Sequence, residues 1–247
     1  MLPHAGMKLG KLPARFDSRT LRLESYIGGL PPAPASVTWS SKVPSWPMYL
    51  NDSIGDCAIA TPGHLIQSYS FNAGHPKTPL DDDVLAMYER FGYVPGDPTT
   101  DNGCVLLDVM KSWRQDGLGG DKIGAFASIN PRNLPHVSTG IWLFGGVATG
   151  FALPASAQDQ DVWDVVEGDD GAPGSWGGHA VPIVDYDDEG NFTCVTWGAL
   201  KKLTRAFLAK YCDEMYAAID EDFLPGGAAP NGFASTVLQA DLALVSA

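Results

Sequence analysis

Cysteine is scarce in this chain, with four among 247 residues (Cys57, Cys104, Cys194 and Cys212). That is too few for a disulfide scaffold and points to a reducing setting. Basic residues are also sparse: Lys and Arg number 16 against 29 Asp and Glu, a formal net charge of -13. With no basic cluster, the balance argues against nucleic acid as a partner and is read as solubility. No apolar run reaches the length of a membrane span. The longest, "IWLFGGVATGFALP" at 141–154, is interrupted by glycines and reads as buried strand. The N-terminal "MLPHAGMKLGKLPARFDS" has no apolar core of a signal peptide, and no stretch is repetitive or of low complexity. Cytoplasm or a virion is the expected location.

What is present suffices for a substantial core, since 45% of residues are hydrophobic. Residues 1–36, rich in Pro and Gly and ending in "GGLPPAPAS", read as an extended arm or strap; residues 37–247 read as one domain. A helix is expected from Asp56, a good N-cap, to the stop at Asn72-Ala-Gly74, with a kink at Pro62, which lacks an N–H to donate. Further helices are expected at 80–93 and 104–117. Downstream, "HAVPIVDYD" and "NFTCVTWG" are rich in β-branched and aromatic residues and read as strands; 201–219 suits helix or strand, and 222–247 is partly loop with a final apolar segment. Helices first and strands second predict an α+β fold of two lobes, about 51–135 helical and about 136–225 β.

The stretch "NDSIGDCAIA" (51–60) poses the functional question. A cysteine at a helix start is either a small core residue or a nucleophile whose thiolate the helix N-terminus stabilises. A nucleophile needs a base. His64, seven residues along the same helix, lies about 10 Å away at 1.5 Å rise per residue, too far to take the proton. His179 follows two glycines at the head of an apolar strand, and glycines let another chain approach closely. There an imidazole can reach a thiol, although a hydrogen-bonded structural histidine is an equal reading.

Five segments, in order over residues 37–200, resemble the papain family of cysteine peptidases. "NDSIGDC" is similar to that family's nucleophile segment, with Asn51 in the place of a Gln, Gly55 in that of a Gly and Cys57 in that of the nucleophile. "SVTW" resembles its Val-Asp-Trp, "DNGC" followed by a helix and "DGLGG" its Asn-Gly-Cys stretch, "GGHAVPIVDYD" its His-Ala-Val strand, and "VTWG" its Asn-Ser-Trp-Gly. The compact form also resembles papain-like proteins of bacteriophage genomes. The resemblance implies a helical left lobe with a central nucleophile helix and an antiparallel, β-barrel-like right lobe. It implies that Cys57 attacks a carbonyl and that His179 is base and acid. Asn51, with the Cys57 N–H, would form the oxyanion hole, and Trp197 would shield the histidine. No metal or cofactor is implied, and the substrate would be a peptide or protein.

Three departures bear on activity. The family's Asn that orients the histidine falls on Val195, which cannot accept its ring N–H. Thr196 substitutes only if the strand slips by one residue, so an ordinary strand threonine is the simpler reading. Ile54 stands where the family has a bridging cysteine, which leaves Cys104 without its usual disulfide partner. Pro62 interrupts the nucleophile helix. The alternatives to a peptidase are therefore a catalytically faded structural or interaction protein, such as a virion component with a protein partner, and a Cys-His acyltransferase or deamidase.

Overall fold

A computed structural model describes residues 6–28 and 31–220. The apolar segment expected within 222–247 lies outside them. In chain order the elements are β1 (Leu21–Arg22), β2 (Val37–Thr38), α1 (Cys57–Ala73), α2 (Asp81–Glu89), α3 (Leu106–Gln115), β3 (Ile123–Ser128), α4 (Leu134–Phe144), β4 (Val147–Leu153), β5 (Val162–Trp163), β6 (Gly177–Tyr186), β7 (Phe192–Thr196), β8 (Ala199–Leu203), α5 (Arg205–Tyr211) and β9 (Cys212–Asp220).

Helix α1 lies inside the molecule. Every residue from Cys57 to Ser70 is buried, as a helix that is apolar most of the way round requires. Several of its polar side chains bond to buried backbone: Ser68 Oγ donates to Gly145 O (2.6 Å), and Gln67 Nε2 to Ser45 O (3.2 Å). Pro62 sits inside the helix, which nonetheless runs on to Ala73 and ends at Gly74 in the left-handed conformation (φ 86°). One face of α1 packs on β6 and another on α2 and α3, so the helix start is held between the two halves of the fold.

The strands form one sheet in the order β1-β3-β9-β4-β6-β7-β8-β5, with β2 paired on β6. All pairings are antiparallel except β1 with β3 and β5 with β8. The expected β-barrel is not closed: among the described residues β1 and β5 remain the two ends of an open sheet. Large side chains such as Trp113, Trp163, Phe144 and Phe207 are wholly buried against it, each contributing about 1.5–3 kcal/mol of burial.

The run at 141–154 is not one strand. Ile141–Phe144 is the last turn of α4, and strand begins only at Val147. The cause lies upstream: the Asn133 side chain caps the helix by accepting from His136 N (3.3 Å), and Pro135 fits the first turn. Gly145 (φ 73°) then turns the chain into β4. The ambiguous stretch 201–219 resolves into the end of β8, then α5, then β9.

Candidate active site

Cys57 is the first residue of α1, with Asp56 at the N-cap. The approach to it turns sharply through Tyr49 and Leu50, both at positive φ (53° and 65°), which sets Asn51 beside the helix start. Asn51 is buried and its amide nitrogen donates to Ile54 O (3.2 Å). His179 is the third residue of β6. Its neighbour Ala180 donates a backbone N–H to the Cys57 sulfur (3.4 Å), so β6 is laid against the helix start at this point. Cys57, His179, Asn51, Thr196 and Trp197 line one cavity of about 10 Å³, room for a single water at most.

Thr196 departs from the simpler reading of its position. Its hydroxyl lies 2.8 Å from Nε2 of His179. The reason is a bulge between Ile183 and Asp185: Asp185 pairs with Thr193, yet Ile183 pairs with Cys194. One extra residue in β6 shifts every later pair by one, so Cys194 and Thr196, not Val195, share the face of Ile183, Val181 and His179. Pro182, which has no ladder N–H to give, sits beside the bulge.

Trp197 and Gly198 form the two-residue turn between β7 and β8, both at positive φ (46° and 70°), the geometry that favours tight hairpins. A tryptophan in this region is strained. The turn lays its ring parallel to His179, 4.4 Å between centroids and 15° apart in plane. His64 does not belong to this machinery. Its Nε2 is 2.9 Å from Pro47 O, its ring lies against Tyr49 and Trp46, and burial pulls its pKa down to about 4.

Where a disulfide is absent, hydrogen bonds tie the nucleophile loop down. Asp101 accepts from Gly55 N (2.9 and 3.1 Å) and from Tyr88 Oη (2.6 Å), while Tyr88 Oη accepts from Gly103 N (2.9 Å). All four cysteines are free thiols and all are buried.

The arm was expected from the sequence, but its course was not. Residues 8–12 run through the cleft beside Cys57. Lys8 N donates to Asn51 O (3.3 Å), Cys104 N to Gly10 O (2.8 Å), Leu12 N to Cys104 O (2.8 Å) and Lys11 N to Gly178 O (3.1 Å). Trp197 Nε1 donates to Lys8 O (3.2 Å). The Gly10 backbone N–H also favours the thiolate form of Cys57. The Gly10 carbonyl, for its part, is engaged by Cys104. Glycines make the fit: a Cβ on Gly10 would fall 1.6 Å from Gly55 O, and one on Gly103 2.0 Å from Gly10 O. The only signal in the sequence was the abundance of glycine in these segments.

Burial under the arm pushes the Cys57 thiol up to about 11; the Ala180 and Gly10 N–H groups and Lys11 oppose the rise, and Asp56 adds to it. Asp56 is itself held well above the usual carboxylate range by burial, against a side-chain hydrogen bond from Asn51.

No family model matches the chain, and no curated protein sequence does. Solved structures do. Xylellain, a cysteine protease from Xylella fastidiosa, superposes with a TM-score of 0.66 at 15% identity over 87% of this chain and 97% of its own. Digestive procathepsin L2 proteinase from Tenebrio molitor larval midgut gives 0.61 at 15% identity over 88% and 79%. Procathepsin B S9 from Trypanosoma congolense gives 0.56 at 13% identity over 89% and 88%. The chain has the papain-like fold of these proteins.

Proposed function

We propose that the chain is a papain-like cysteine peptidase acting on peptide or protein substrates, with its cleft covered by its own N-terminal arm. The observation that carries this reading is the single small cavity lined by Cys57, His179 and Asn51, with the Thr196 hydroxyl on His179 Nε2. Because Nε2 is taken by Thr196, Nδ1 is the nitrogen assigned to proton transfer. Once the arm leaves, Cys57 Sγ attacks the substrate carbonyl carbon and its proton passes to Nδ1. The oxyanion is received by the Cys57 N–H and by the Asn51 amide, which turns from its present acceptors, Ile54 O and the Asp56 carboxyl, to donate to it. His179 then protonates the leaving amine, and a water activated by the same imidazole hydrolyses the thioester. Trp197 keeps bulk water off the imidazole. Thr196 orients the ring in place of the family's Asn, and residues of such a set act non-additively, so the Val195 departure does not remove the base.

A second reading, a faded papain-like protein that serves as a scaffold or interaction partner, is favoured by the closed cleft: Cys57 is 1% exposed and its thiol is protonated at neutral pH. Hydrolysis of a broad peptide library by the Gly10→Ala variant, whose arm cannot seat, separates the two. The peptidase reading expects cleavage that disappears in Gly10→Ala/Cys57→Ala. Equal background in both leaves the scaffold reading, and ammonia release without peptide cleavage points to the deamidase.

A further inference from the structure

One residue of the arm enters a built pocket. The Lys11 side chain is only 1% exposed, and its Nζ lies 2.9 Å from Asp213 Oδ2, 3.2 Å from Glu214 Oε1 and 3.1 Å from Leu12 O. Two consecutive strand residues ordinarily point to opposite faces. Here they converge because β9 is bulged: Gly150 of β4 pairs with Glu214, and Phe151 pairs with Cys212, so Asp213 is the extra residue. Tyr216 Oη donates to Glu214 Oε2 (2.9 Å) and fixes that carboxylate. Gly150 opens the floor, since a Cβ there would meet Lys11 Cε at 2.1 Å and Glu214 Cγ at 2.7 Å.

The pocket opens beside the nucleophile. The Lys11 N–H is held by Gly178 O, next to His179, and the preceding Gly10 packs on Gly55, two residues before Cys57. Whatever chain replaces the arm in the cleft meets this pocket within a residue of Cys57. We infer that the pocket selects a lysine side chain of the substrate, with Lys11 as its placeholder; this rests on the peptidase reading of the adjoining site. Anchoring the arm does not by itself account for it. A buried ion pair adds little net stability, because desolvation offsets most of the Coulomb gain. It does discriminate: an uncharged chain entering the pocket would leave a 5% exposed Glu214 carboxylate without its cation.

The test uses the full chain carrying Lys11→Glu, which repels the arm from the two acids, with and without Cys57→Ala. The probes are two fluorescent hexapeptide mixtures, identical except that each member carries one lysine or one norleucine. Binding to the Lys11→Glu/Cys57→Ala protein is read by anisotropy, and cleavage by Lys11→Glu is read by mass spectrometry. The lysine mixture is expected to bind at least roughly tenfold more tightly, with the preference reduced by Glu214→Gln and by Asp213→Asn. Asp213 is 34% exposed, so its variant keeps the test open if the buried Glu214 variant fails to fold. Equal binding, or preference for norleucine, overturns the pocket. Cleavage without lysine preference overturns it while leaving the peptidase reading intact. Lysine-selective binding without cleavage sustains the pocket and sinks the peptidase reading.

Discussion

Substituting Gly10 by alanine should open the cleft. The added Cβ would sit 1.6 Å from Gly55 O and 2.3 Å from Gly55 C, both backbone atoms of the loop that Asp101 ties down. The arm must therefore move by more than an ångström, and hydrogen bonds of 2.8 Å such as the pair to Cys104 do not survive that displacement. Two lost bonds at about 1 kcal/mol each destabilise the seated arm by about 2 kcal/mol, which raises the population of the open cleft roughly 30-fold. Opening also removes the burial that pushes the thiol up to about 11, so the thiolate fraction near pH 7.5 rises as well. The assay is the alkylation of Cys57 by iodoacetamide, followed by peptide mass spectrometry, with the other three buried cysteines as internal references. An increase of at least about 30-fold is expected at Cys57 alone. Gly28→Ala, where an added Cβ meets nothing within 4 Å, should change nothing. A folded Gly10→Ala protein whose Cys57 reacts at the wild-type rate would refute the reasoning.

Other perturbations read different parts of the site. Asp56 has its pKa raised by burial, so wild-type stability is lost as pH climbs from the ordinary value of 3.8 toward the folded one; thermal melts should show Asp56→Asn gaining on wild type as pH rises above about 4, and a constant difference across pH would contradict this. Asp101→Ala strips the acceptor from Gly55 N–H and Tyr88 Oη, and denaturant melts should show a loss of about 1.5–3 kcal/mol; an unchanged midpoint would show that the two loops hold without it. Thr196→Val removes the hydroxyl on His179, so in a Gly10→Ala background kcat should fall roughly 5- to 30-fold with KM little changed; an unchanged kcat would return Thr196 to the role of an ordinary strand residue.

The helix that begins at Cys57 and the strand that carries His179 were legible because each rests on a local pattern: a loop rich in turn residues before an apolar run, and a double glycine before an apolar strand. Thr196 was not legible. Its orientation follows from a bulge in β6, a strand away, and the pairing that creates the bulge leaves no trace in the β7 sequence. The same holds for Asp213 and Glu214: nothing in their own stretch of sequence signals that the β4–β9 register turns both toward one ammonium. The apolar end of α4 misled because β propensity was weighed without the Asn133 cap eight residues earlier. The arm carries no periodicity, and its course depends on glycines whose value lies in what packs against them.

The central claim is that Cys57 is an acylatable nucleophile served by His179. The most direct measurement is the intact mass of the Gly10→Ala protein, quenched with acid during turnover of a peptide aryl ester. The account predicts a peptidyl adduct mapped to Cys57, formed far more slowly when His179→Ala is added. Full alkylation of Cys57 by iodoacetamide with no peptidyl adduct from the ester, or an adduct that forms equally fast without His179, would contradict it.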